Sequence, residues 1–326
     1  VANDSTISEW LINYQGGLIR RGLLGEISFQ LASIFELELR SVIFYFQTSA
    51  YLFFLFLNYV FFKSLKHNIV SLFAVFTPIF LLYPVAEIEV LARKEVFLYI
   101  YFFGIYYISL LNNKSDKILN YYILFVTPII CMIWELMVFF FPFIVGYLVF
   151  LRSIKSFQSF FKNCLLFIPS ILIVIYFFKF PVTKDQHLIM QEILMTDFGE
   201  KCYMSCQLLR SRDINSFGNL FYHTLGTRDF EDIIIWITRY TLILIVGFSP
   251  LLLISYYSNI KKDNIFTRFG FKNLFFLILF FCLFSMPLFP FASDWGRWVG
   301  IMISFSTYFY FFLYKENYLL IKEEII

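Results

Sequence analysis

The sequence predicts an all-α protein, a polytopic bundle of about nine transmembrane helices with amphipathic helices on its outer face. Three observations carry that prediction. Hydrophobic residues fill 60% of the 326 positions, and mean hydropathy is +0.74. Charged residues make up 15%, against about 25% in a soluble domain. The apolar runs reach the length that crosses a bilayer, about 17–25 residues.

The elements follow in chain order. The chain opens at Val1 in polar sequence, with no charged start and apolar core of a signal peptide. A further transmembrane helix upstream, or a fragment, are both open expectations. Ile7, Trp10, Leu11, Tyr14 and Leu18 recur at helical spacing, which predicts an amphipathic surface helix. Thr6 and Glu9 read as its capping box, and Gly16-Gly17 as its end. A second amphipathic stretch puts Leu23, Leu24, Ile27, Leu31, Ile34 and Phe35 on one face. The apolar runs then predict spans at 41–62, 69–86, 96–111, 120–134, 136–151, 164–180, 235–258, 273–291 and 298–314. Trp134-Glu135 alone separates the fourth and fifth, which fits a tight hairpin or a broken helix. The expected organisation is an outer amphipathic segment (1–40), transmembrane helices (41–180), an outer loop subdomain (181–234), then transmembrane helices with a cytoplasmic tail (235–326).

Charge sets the orientation. Lys63, Lys66, Lys114, Lys117, Arg152, Lys155, Lys162, Lys261, Lys262, Arg268, Lys272, Lys315 and Lys322 fall in alternate short loops. The positive-inside rule makes those loops, and the C-terminus, cytoplasmic. Residues 1–40, 87–95, 134–135, 181–234 and 292–297 then face outward. The net charge of +3 is divided between two faces, and no DNA-binding motif or long basic block is present, so nucleic acid is excluded as a partner.

Cysteines add little. Cys131, Cys164 and Cys282 lie in apolar runs and read as packing residues. Cys202 and Cys206 can bridge only in an oxidising compartment, and with no nearby His pair they make a poor zinc site. No metal or other cofactor is called for, although a divalent cation is compatible with the sequence.

Several charges stand on the outer side against the orienting bias. Arg20 and Arg21 lie in "GGLIRRGLLGE", Arg93, Lys94 and Glu95 in "ARKE", and Asp294 and Arg297 in "SDWGRW". Asp4, Glu9, Glu26, Glu87, Glu89 and Glu135 complete the outward, membrane-level set. Arginine grips phosphate oxygens with two parallel bonds and keeps its charge. A neighbouring carboxylate can take a proton from an attacking hydroxyl. Arg20, Arg21, Arg93, Lys94, Glu95 and Arg297 are therefore the candidate phosphate-binding group. Asp4, Asp294, Glu9 and Glu135 are the candidate catalytic carboxylates, with Asp4 or Asp294 first. Glu135 sits between "IICMIW" and "LMVFFF", where an ionisable group is a functional candidate by default. Plainer roles stand beside these: headgroup anchoring for Arg20 and Arg21, a cap for Glu9, pairing of Glu26 with Arg21, a solvated turn for "ARKE", and an aromatic belt for Trp295 and Trp298. The outer loop, with "DQHLIMQEILMTDF" as an amphipathic helix, reads as a lid or acceptor surface; nothing in the sequence pairs its two histidines, His187 and His223, with each other.

The combination "NYQGGLIRRGLLGE", "ARKE", "IWE" and "SDWGRW" resembles a group of bacterial multi-spanning proteins of surface-polysaccharide synthesis. The layout is similar to GT-C glycosyltransferases and, more distantly, to O-antigen polymerases. The resemblance implies a polyprenyl-phosphate-linked sugar donor, a saccharide acceptor, a bacterial inner-membrane location, and an acidic catalytic residue in the first outer loop, where Asp4 and Glu9 match. The rival expectations are a transporter or flippase for lipid-linked sugars and a non-catalytic subunit of a polysaccharide assembly complex. The spans carry few polar residues apart from Glu135, which counts against transport.

Overall fold

The computed structural model describes residues 7–66, 68–81, 83, 93–111, 115–201, 206, 209, 230–291 and 294–321. Asp4, Glu87, Glu89, Cys202 and His223 lie outside them. The helices, numbered in chain order, are α1 (Leu23–Ile34), α2 (Leu39–Lys63), α3 (Ile69–Val75), α4 (Val96–Ser109), α5 (Ser115–Ile133), α6 (Phe141–Leu151), α7 (Phe157–Cys164), α8 (Ile168–Lys179), α9 (Lys184–Phe198), α10 (Phe230–Tyr256), α11 (Ile265–Arg268), α12 (Leu274–Leu283), α13 (Leu288–Phe291) and α14 (Trp295–Lys315). Short 3-10 turns at Glu135–Phe140 and Leu165–Phe167 lead into α6 and α8. Two strands, β1 (Ser258–Ile260) and β2 (Leu319–Ile321), pair antiparallel with Ser258 opposite Ile321.

Four helical runs among the described residues are long and apolar enough to cross a membrane: Leu39–Lys63, Asp116–Ile133, Phe157–Lys179 and Glu231–Tyr256. The expected nine are not all of this kind, and the reasons are local. In the described part of the run expected at 69–86, the seven-residue α3 ends at Val75 and the chain then turns at Pro78. The run at 273–291 ends its helix at Leu283, ahead of Pro287. The last run does form a 21-residue helix, α14, but Ser304, Ser306 and Thr307 lower its hydropathy. Residues 297–313 of α14 are all buried, and these hydroxyls bond back to the carbonyls of Gly300, Met302 and Ile303 at 2.7–2.8 Å.

The chain divides into two compact units. The first comprises residues 1–60, 88–138 and 167–218, and its α5 packs against α1, α4 and α8. The second comprises 61–87, 139–166 and 219–326; there α14 packs against α6, α10, α12 and α13. Phe143, Phe150, Phe281 and Phe309 fill its core with ring centroids 5.4–6.0 Å apart.

The first amphipathic reading changes. Among the described residues the first helix ends at Ser8 and is followed by an irregular segment whose Trp10, Leu11 and Ile12 are buried. Helix α1 buries Leu24, Ser28, Phe29 and Ala32, while Ile27, Ile34 and Phe35 are exposed. Gly25 explains which face packs inward. A Cβ there would stand 1.9 Å from the Ile12 carbonyl oxygen, so α1 lies backbone to backbone on the 10–12 segment through its small residues. Helix α9 forms where expected. Thr183 and Gln186 make its capping box, and His187, Met190 and Leu194 are its buried face.

Candidate functional site: a buried charge cluster in the first unit

The "RR" pair sits on the turn between the irregular segment and α1. Arg21 holds φ at +63°, a left-handed conformation that costs an ordinary residue about 1–2 kcal/mol. Two contacts fix it there. Lys94 Nζ donates to the Arg21 carbonyl oxygen at 2.7 Å, and Lys94 is wholly buried, 5.7 Å from the centre of the Trp10 ring. The Arg21 guanidinium donates to Glu135, Nε at 2.9 and 3.1 Å and Nη2 at 2.8 Å. Glu135 follows the end of α5 and is 1% exposed.

Two further residues join this pair. Glu9 Oε1 lies 3.5 Å from Arg21 Nη1. Arg20 Nη1 is 3.8 Å from Glu135, and its Nη2 reaches the Leu209 carbonyl at 3.5 Å. Glu95 is buried next to Lys94 in the chain, and Arg93 is half-buried. Three cations (Arg20, Arg21, Lys94) thus share the interior of one unit with three carboxylates (Glu9, Glu95, Glu135). Burial pushes the Glu135 carboxyl up, but the charges of Arg21 and then Arg20 outweigh it and bring it down to about 2. The carboxylate is ionised at any physiological pH.

The structure corrects several sequence readings. Glu9 follows the last described helical residue, Ser8, and faces Arg21; Thr6 lies outside the described residues. Glu26 does not pair with Arg21. Its carboxylate accepts from the Tyr14 backbone N–H at 2.8 Å, Gln15 Nε2 at 2.9 Å and Gln30 Nε2 at 2.7 Å. Burial, with the Glu26 charge beside it, pushes the Tyr14 hydroxyl pKa up. "ARKE" is no solvated turn, since Lys94 and Glu95 are buried.

Asp294 and Arg297 belong to the second unit. They form an ion pair at 3.4 Å, with Arg297 5% and Asp294 40% exposed. Arg297 also stacks 5.6 Å from the centre of the Trp298 ring. Trp298 is itself buried, so it is not a belt residue. Cys206 is disulfide-bonded, and Cys131, Cys164 and Cys282 are free thiols. Among the described residues, no group of three or more His, Cys, Asp or Glu is placed to hold a metal ion.

Sequence reading missed one polar feature of the first unit. Arg40 donates to Glu200 at 2.5 and 3.0 Å and, with Glu36, Glu38, Asp197 and Phe198, lines an open groove of about 800 Å³. Arg40 and Glu200 are 160 residues apart, and no spacing rule links them. No family model, curated protein or solved structure matches the chain.

Proposed function

We propose that the chain is a membrane glycosyltransferase or polysaccharide polymerase that uses a polyprenyl-phosphate-linked sugar at the outer face of the bilayer. The observation that supports it is the buried cluster of Arg20, Arg21 and Lys94 with Glu9 and Glu135, drawn from three distant stretches of sequence. Arg20 and Arg21 take the donor phosphate, and Lys94 positions Arg21. Glu9, which makes the longer of Arg21's two carboxylate contacts, accepts the proton of the acceptor hydroxyl. The hydroxyl oxygen bonds to the anomeric carbon as the bond from that carbon to the phosphate oxygen breaks. The lipid phosphate leaves with the electron pair, held by the guanidinium groups. Glu135 keeps the arginines oriented.

Sugar transfer from lipid-linked donors, measured in membranes, tests this reading. Arg21→Lys keeps the charge and loses the forked grip, so transfer should fall by about tenfold or more at unchanged protein level. Glu9→Gln should abolish transfer and leave polyprenyl phosphate bound.

A second reading has one observation behind it. Arg21 is already engaged by two carboxylates, which suits a purely structural ionic staple in a non-catalytic subunit. On that reading, transfer in every variant simply tracks the amount of folded protein.

A further inference from the structure

The chain after α9 touches the charge cluster at two described positions. Cys206 is disulfide-bonded and wholly buried, and its sulfur lies 3.9 Å from the Ser8 carbonyl oxygen. Ser8 adjoins Glu9, which faces Arg21 at 3.5 Å. Leu209, also buried, accepts from Arg20 Nη2 at 3.5 Å through its carbonyl. Cys206 and Leu209 are both helical and stand three residues apart, the spacing of one helix face. One short piece of chain thus meets the cluster beside Glu9 and again at Arg20, and all these residues belong to the first unit.

At 3.5 Å the Arg20 bond is at the long limit of hydrogen bonding, and a disulfide sulfur has no proton to give to Ser8. Neither contact is strong enough to anchor the piece. A disulfide is, because it removes conformations in which the chain swings away. Such a bond persists in an oxidising compartment, and the charge rule puts residue 206 on the outer side.

We propose that the disulfide at Cys206 is a positioning clamp for the cluster, holding the Leu209 carbonyl against Arg20. A guanidinium is flat, with its N–H donors in fixed directions. A carbonyl held at Nη2, with Glu135 3.8 Å from Nη1, therefore sets the plane in which Arg20 meets a phosphate. Arg21 is braced differently, by Glu135 at 2.8 Å and by Lys94 at its own carbonyl. The clamp thus acts on one arginine of the pair. As a device that presents Arg20 to a donor phosphate, it rests on the transferase reading; as a brace on Arg20, it does not.

The test compares two preparations of the full chain, synthesised cell-free into lipid nanodiscs, one with glutathione disulfide and one under a thiol reductant. In the first, two thiols pass two electrons and two protons to glutathione disulfide, giving the bond and two glutathione thiols. Alkylation and mass spectrometry establish the state of Cys206. Phenylglyoxal, which condenses with guanidinium groups, then reads Arg20 and Arg21 separately. The thiol form should label Arg20 about fivefold faster, the worth of one hydrogen bond, with Arg21 nearly unchanged. Cys206→Ser should label like the thiol form under either condition. Should the variant or the thiol form fail to fold, the other decides. Equal Arg20 rates with and without the bond overturn the clamp. So does an equal rise at Arg20 and Arg21, which means the unit has loosened as a whole. Donor titration separates the two proposals, because KM for the lipid-linked donor should be about fivefold higher in the thiol form at similar kcat. Bond-dependent Arg20 labelling with no transfer in either form leaves the clamp standing and ends the transferase reading. Transfer in both forms, with equal Arg20 labelling, does the reverse.

Discussion

At the scale of single residues, the central fact is that Arg21, in a strained conformation, is held by Lys94 at its backbone and by Glu135 at its side chain. Glu135→Gln removes one charge of a buried cluster and leaves Arg21 with its longer Glu9 contact at 3.5 Å; breaking a buried pair in this way costs about 3–5 kcal/mol. Thermal unfolding in detergent should show that loss. Its pH dependence follows from the lowered pKa. A depressed carboxyl contributes stability that is present above its unfolded value, about 4.3, and is lost as pH falls through the folded value of about 2. The Tm difference between wild type and Glu135→Gln should therefore stay constant from about pH 5 to 9 and shrink below about pH 4. A gap that closes near neutral pH contradicts the pairing. Much of the cluster was legible in the sequence. Arg20, Arg21, Lys94 and Glu135 stand out because charge at an apolar boundary needs a partner. The partners themselves were not legible. Glu26 was the near candidate for Arg21, but the Tyr14 backbone and two glutamines occupy it.

At the scale of elements, backbone proximity overrides side-chain pattern. The apolar stripe of α1 did not say which face packs on protein; Gly25 lets the helix rest on the carbonyls of Trp10 and Ile12. Gly25→Ala has no room for its methyl, and overpacking of this kind costs about 1–3 kcal/mol. It should lower Tm and also reduce transfer, since the same contact sets the turn that carries Arg20 and Arg21. A Gly25→Ala protein with unchanged Tm contradicts this packing. Helix α9 was legible as a helix from "DQHLIMQEILMTDF", while its Thr183 capping box and its Gly199 end are local signals that the structure adds. Strands β1 and β2 left no such signal, being three residues each and paired at long range, Ser258 with Ile321 and Ile260 with Leu319.

At the scale of the whole molecule, hydropathy gave the class, a mostly helical chain with candidate membrane spans. Four described helices have the length and composition to cross a bilayer, while α14 is buried on all sides and carries its hydroxyls without exposing them. The charge rule places α9 outside and the C-terminus inside. A membrane-impermeant thiol reagent should label Asp197→Cys in intact cells, and labelling only after lysis reverses the orientation. Sugar transfer by purified protein in sealed liposomes, with lipid-linked donor confined to the accessible leaflet, tests the central claim most directly. The account predicts that acceptor is glycosylated on the donor's side, without donor crossing the bilayer, and that Arg21→Lys loses this activity. Donor crossing with no glycosylated product, or full transfer by Arg21→Lys, contradicts it.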